Sequence, residues 1–151
     1  MSATEVIVDG WPPPKGFANG RIGDGKVLHV AGQIGMDAHG TWATASAAIA
    51  PQSEVSATVL VDERFIPQFA QALDNVLAVV RATGGAPEDI AEMTVFVTNM
   101  QSYRDSRREL ARVWRERLGK HFPAMALIGV SSLFEENALV EIQAVAYIGG
   151  R

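Results

Sequence analysis

Two periodicities divide this chain into strands and helices. In its last quarter, apolar runs at residues 124–133 and 138–148 flank an acidic turn at Glu135, Glu136 and Asn137. The second run alternates. Leu139, Glu141 and Gln143 fall on one face and Val140, Ile142 and Ala144 on the other, the signature of a half-buried strand. A carboxylate at Glu141 between apolar neighbours is costly to bury unless something pairs with it, so it is the first residue that needs a chemical reason. Residues 90–97 read as a strand through Met93, Val95 and Val97, residues 27–30 as a strand after the glycine turn at Gly23–Gly25, and residues 5–8 as an edge strand. Pro12, Pro13 and Pro14 then stop regular structure, because they donate no backbone hydrogen bonds.

Helical spacing appears twice. Over residues 63–83, Phe65, Ile66, Phe69, Leu73, Val76, Leu77 and Val80 form one apolar stripe. Asp62 suits the N-cap, Pro67 is tolerated near the first turn, and Gly84-Gly85 ends the helix. A second helix is predicted over 102–118, with Tyr103, Leu110, Trp114 and Leu118 on its stripe and Arg104, Arg108, Arg112 and Arg115 on its outer face. That basic face reads most simply as solvated surface countered by Glu109 and Glu116. Between the first strands and the first helix, residues 37–62 turn Ala-, Ser- and Thr-rich without helical period. Val55, Ala57, Val59 and Val61 alternate there and could pair with residues 42–45 as a hairpin; an exposed loop with one strand fits equally well. The order β–β–α–β–α–β–β, without repeat or linker, predicts one domain over 1–151, an α+β fold with a mixed sheet and two helices on one face.

Composition narrows the function classes. A net charge of −4 gives no electrostatic reason to expect nucleic acid as partner. The chain has no cysteine, which excludes disulfides, thiolate nucleophiles and Cys-based zinc sites. The first twenty residues lack the basic start and apolar core of a signal peptide, and no apolar run approaches the roughly 18–20 residues of a membrane helix. A soluble, cytoplasmic protein without membrane partner is therefore expected. His29 reads as a hydrogen-bonded strand residue, and His39 and His121 make no metal-ligand pattern. The glycines between Gly20 and Gly25 are not a nucleotide-binding loop. Neither metal nor cofactor is expected.

Several segments, taken together, are more specific. VLHVAGQIG (27–35), QALDNVLAVVRATGG (71–85), MTVFVTNM (93–100), FPAMALIGV and ALVEIQAVA resemble the Rid family, the YjgF-like proteins best known as enamine/imine deaminases. The likeness covers residues 16–36 and 66–148 in order, and leaves 37–62 as an insertion longer than the family's usual connection. It implies a chorismate-mutase-like (YjgF-like) fold assembled as a homotrimer. The sheets would line a central barrel, and small-molecule sites would lie between neighbouring subunits. In deaminating members, an arginine directly after Pro-Ala in the penultimate strand grips the substrate carboxylate. A glutamate in the last strand positions the water that hydrolyses the imine.

Those positions carry over unevenly. Glu141 in ALVEIQA matches the glutamate, and is the candidate catalytic residue. Met125 in FPAMAL stands where the arginine would be, Phe17 where the family often has tyrosine, and Ala31, before Gly32, where Ser or Thr is common. A guanidinium offers a carboxylate two charge-assisted hydrogen bonds and a thioether offers none. Either the substrate is more apolar, or another cation substitutes. Arg107 is the candidate, because Tyr103, Arg107, Leu110 and Trp114 share one stripe at helical spacing. It also aligns where the family often has an asparagine near the site. Its stem could instead pack while its head snorkels to water, or it could pair with a carboxylate across a trimer interface. The candidate binding set is Phe17, Ala31, Gly32, Arg107, Met125 and Leu127.

Three functions remain open at this stage. One is a hydrolase acting on a small enamine, imine or related unsaturated compound, with Glu141 raised in pKa by apolar neighbours and activating water. The second is a ligand-binding or regulatory trimer without deaminase chemistry, and the third an isomerase or tautomerase using Glu141 to shuttle a proton. Glu141 could also be a structural carboxylate bonded to backbone or to a neighbouring subunit's arginine.

Overall fold

The computed structural model describes residues 3–44 and 62–150. Their elements run β1 (Ala3–Glu5), β2 (Arg21–Gly23), β3 (Gly25–Ile34), α1 (Phe65–Ala82), β4 (Ile90–Val97), α2 (Met100–Asp105), α3 (Arg107–Leu118), β5 (Ala124–Gly129) and β6 (Val140–Gly149). Strands β3, β6, β4 and β5 form a mixed sheet in that order, while β1 and β2 pair separately. The pairs β3–β6 and β4–β6 are antiparallel, and β4–β5 is parallel. A parallel pair needs a long crossover, which α2 and α3 supply.

The last two strands are not neighbours, although their sequence runs lie side by side. β6 passes over β5 and inserts between β3 and β4. Burial explains the placement. Val140, Ile142, Ala144 and Ala146 are all buried, so β6 gains most at the centre, whereas Ala126, Leu127 and Ile128 on β5 stay exposed at an edge. Gln68 of α1 fixes the entry to β6: its amide donates to the Asn137 carbonyl and accepts from the Leu139 N–H, both at 2.9 Å. A Cβ at Gly35 would overlap Gln68, so only glycine lets β3 approach α1 this closely.

The core lies between one sheet face and the two longer helices. Phe69, Leu73, Val76 and Leu77 of α1 pack with Met93, Val95 and Ile142 of the sheet. Trp114 and Leu118 of α3 complete the layer, and Arg117 ties the helices together by gripping Asp74 at 2.8 and 3.0 Å.

Several boundaries differ from the sequence expectation. The first strand is Ala3–Glu5 rather than 5–8, because its partner is β2, and Val6 and Ile7 are left exposed. β3 is longer than 27–30 and carries an irregularity between Val30 and Gln33. Arg64, not Asp62, occupies the N-cap of α1; the Asp62 carboxylate is engaged instead by the Arg64 side chain, at 2.6 Å from Nη2. The helix expected over 102–118 breaks at Ser106. α2 begins earlier, capped by the Asn99 side chain, which accepts from the Ser102 N–H at 3.1 Å. The Ser106 N–H is shared between the carbonyls of Ser102 and Tyr103, the tightened geometry that ends a helix. Of the 37–62 segment, Asp37 holds a tight turn by accepting from the N–H groups of His39 and Thr41 at 2.9 Å, and Trp42 folds back on Met36. The proposed pairing of 42–45 with 55–61 lies outside the described residues. Among those described, no helix is long and apolar enough to cross a membrane.

Candidate functional site

Side chains alternate across a strand, so the sheet has a covered face against the helices and an open face without them. Ile142 is fully buried on the covered side, which places Glu141 and Gln143 on the open side. Glu141 registers with Phe96 of β4 and Ile34 of β3. Its carboxylate lies over Gly32, where any Cβ would overlap Oε1. Gly32 therefore makes room for the acid. Glu141 is only partly buried, and among the described residues no hydrogen bond reaches its carboxylate. Partly exposed on this face, the carboxylate needs no partner from within its own chain. Ala31 is exposed beside it on β3.

Met125 points the other way. It registers with Met93, whose side chain is fully buried in the core, so both lie on the covered face. There Met125 lines a cavity of about 350 Å³ together with Tyr103, Arg107, Leu110, Trp114 and Phe122. The stripe read from the sequence thus reaches one place despite the break at Ser106, and Arg107 shares a cavity with Met125. The Arg107 Nε donates to the Arg104 carbonyl at 3.1 Å. The opposite sheet edge carries Ala31 and Gly32, so one chain does not bring them to Met125. Leu127 follows Met125 on the same side and is exposed at the β5 edge.

The segment before β2 runs along that edge. Ala18 donates its N–H to the Pro123 carbonyl at 2.9 Å and bridges Ala124 in parallel. Its course brings Lys15 and Gly16 to the helix-side cavity, and Phe17 to a second cavity of about 300 Å³ bordered by Glu92, Thr94 and Ala126. Met125 borders both.

The cavity wall is stiff. The Trp114 and Phe122 rings are stacked with centroids 5.7 Å apart and planes 6° apart. The indole N–H donates to the His121 carbonyl at 3.0 Å, and His121 Nε2 meets the Ile90 carbonyl at 2.8 Å. Burial holds the His121 imidazole below its ordinary pKa, with Arg21 acting in the same direction against the raising effect of the Ile90 hydrogen bond. Tyr103 meets Phe65 and Phe69 edge-on, each with centroids 6.4 Å apart. Burial pushes its phenol upward, which keeps it neutral. Among the described residues, no group of three His, Cys, Asp or Glu side chains could hold a metal ion.

With this geometry in view, comparison with known proteins identifies the family. The family described as Endoribonuclease L-PSP matches residues 13–148. The chain belongs to this family, the YjgF/Rid proteins. A 2-iminobutanoate/2-iminopropanoate deaminase from Dermatophagoides farinae is 27% identical over 137 residues, covering 91% of this chain and 90% of the relative. A RutC family protein from Pyrococcus horikoshii is 27% identical over 142 residues, covering 94% and 95%. Among solved structures, YyfB from Yersinia pestis, described as a protein of unknown function of the conserved Rid family, superposes with a TM-score of 0.74. It is 25% identical, with coverage of 98% of this chain and 100% of that one. The α+β fold with its mixed sheet is thus that of the Rid family.

Sequence reasoning missed two cations at the helix-side cavity. Arg115, which the sequence places on the solvated outer face, lines the cavity with Arg107 and Ala111. The signal was present in the spacing, since 107, 111 and 115 are successive i,i+4 steps. Lys15 gave no signal, because the backbone bridge at Ala18 alone brings it there.

Proposed function

We propose that this Rid-family protein is a hydrolase acting on a small enamine, imine or related unsaturated metabolite, with Glu141 positioning the attacking water. The observation that carries the reading is Glu141 itself. It stands at the family acid's position, on a helix-free face, over a glycine that clears space for its carboxylate. The carboxylate would accept a proton as water oxygen bonds to the imine carbon. Return of that proton to nitrogen would give a carbinolamine. Transfer of the remaining hydroxyl proton to nitrogen through the same carboxylate would let the C–N bond break, releasing ammonia and a carbonyl product.

Glu141 and the Met125–Arg107 cavity lie on opposite faces of one chain's sheet, so a site using both requires a second copy. This favours a homotrimer with sites between subunits, as does the exposure of Val27 and Ile128 at 53% and 42%. A second reading, a ligand-binding trimer without deaminase chemistry, is favoured by Met125, which puts no cation where the family grips its substrate.

The test generates 2-iminopropanoate or 2-iminobutanoate from an amino acid and follows its loss with and without the protein. Acceleration that is abolished in Glu141→Gln is expected. No acceleration by the native chain, together with activity on introducing Met125→Arg, would reject the deaminase reading and leave the binding protein. A single-chain mass by light scattering would remove the shared site.

A further inference from the structure

The charges around the helix-side cavity are arranged inversely to a site that grips a carboxylate at its floor. Its inner wall is apolar: Phe69, Leu110 and Trp114 are buried, with Met125 and Phe122 beside them. Its cations, Lys15, Arg107 and Arg115, are all exposed at the mouth, and none of the lining residues is acidic. Elsewhere, Arg112 pairs with Glu116, Arg117 with Asp74 and Arg64 with Asp62. Among the described residues, none of the three at the mouth has an acidic partner within ion-pair distance. Three unneutralised cations around an apolar recess form an anion site with an apolar interior. Its volume of about 350 Å³ is at the small end for a small-molecule pocket.

We infer that this cavity binds an organic carboxylate with a flat apolar body, ring inward against Met125 and the Trp114–Phe122 stack, and carboxylate outward at Arg107, Arg115 and Lys15. The parallel rings of Trp114 and Phe122 favour a planar group over a branched one. The Met125 thioether adds a polarisable contact that suits an aromatic edge. A short 2-imino acid can reach the same cations but leaves the apolar wall uncovered, so it should bind more weakly here than a carboxylate that carries a ring. This inference names the ligand class of the proposed site and rests on that cavity being its substrate end.

The test is a titration that reads binding rather than turnover. The probes are 3-phenylpropanoate, propanoate and the neutral 3-phenylpropan-1-ol. The reporter is the indole N–H resonance of Trp114, distinguished from Trp11 and Trp42 by Trp11→Phe and Trp42→Phe. The aromatic carboxylate is expected to bind about tenfold tighter than either other probe, since each lacks one of its two contacts. Arg107→Ala, at an exposed position where folding is not at stake, is expected to weaken 3-phenylpropanoate about threefold and leave the alcohol unchanged. Propanoate binding as tightly as 3-phenylpropanoate overturns the ring-inward orientation, and the alcohol binding as tightly overturns the cationic mouth. Absence of binding by all three overturns the inference outright. Imine hydrolysis without 3-phenylpropanoate binding sinks this inference and leaves the hydrolase standing; binding without hydrolysis of any imine sinks the hydrolase alone.

Discussion

The two faces of the central sheet use the same strands for opposite ends. On the covered face, Met93, Val95, Val97, Val140 and Ile142 are closed off from water by the helices. On the open face, one residue away each time, stand Glu92, Thr94, Glu141 and Gln143, interspersed with Phe96, Val145 and Tyr147. The covered face is uniform because only apolar packing recovers the entropy lost in ordering the chain. The open face is mixed, and mixed composition is what a surface shows when it must meet something other than its own helices. Folding and chemistry are thereby separated by a single step in register.

The largest effect should come from breaking the covered face. Ile142 is fully buried at the centre of the sheet, so Ile142→Ala should cost about 3 kcal/mol through lost transfer energy and a residual cavity. Its neighbour Gln143, exposed on the other face, should change stability by less than about 0.5 kcal/mol on replacement by Ala. Urea unfolding of both variants measures the contrast, and equal losses would mean that the open face is equally buried in the assembled protein.

Next comes the tie that holds β6 in the centre. Gln68→Leu would leave the Leu139 N–H and the Asn137 carbonyl without their partner, a loss of about 2 kcal/mol. The same denaturation curves measure it. Parity with the native chain would show that water replaces the amide.

The covered side also holds a titrating group. Burial keeps the folded-state pKa of His121 below its ordinary value of 6.5. The unfolded chain therefore binds the proton first on acidification, and stability falls as pH drops below about 6.5, levelling off once the lower folded-state pKa is passed. Melting temperatures at pH 7.5, 6 and 5 should decline in this window, and His121→Asn should flatten that decline. The carboxylates of Asp37 and Asp62 are held below their ordinary 3.8, so their contributions disappear only in more acid solution.

What the sequence made legible follows the same division. The spacing of Phe69, Leu73, Val76 and Val80 located α1, and the alternation around Ile142 assigned both faces of β6, because the covered face leaves a periodic record. Strand order left none: residues 124–129 and 140–149 are separated by a short connection, and nothing in their composition says that β4 lies between them. The break at Ser106 was equally silent, since the apolar stripe continues through it. Family likeness singled out Glu141 and Met125 as a pair, but it could not say that one chain points them to opposite faces. Lys15 enters the candidate site only through backbone geometry, whereas Arg115 carries a signal in its helical spacing from Arg107 that the basic face conceals.

The smallest expected change in stability is the one most informative about the open face. At Gly32, an added methyl would overlap the Glu141 carboxylate, which is the far end of a flexible side chain at a partly exposed position. The acid can swing aside at little cost, so Gly32→Ala should shift stability by no more than about 0.5 kcal/mol. The water that Glu141 would position needs the carboxylate held in place, and a displacement of about 1 Å can cost about 100-fold in rate. Under the proposed chemistry, Gly32→Ala should therefore unfold like the native chain and lose most of its turnover, while 3-phenylpropanoate still shifts the Trp114 resonance. A variant that melts early would instead show that Gly32 serves the packing of β3 against β6. If it stayed both stable and active, the carboxylate would have no fixed position to lose, and Glu141 would not be the group that orients water.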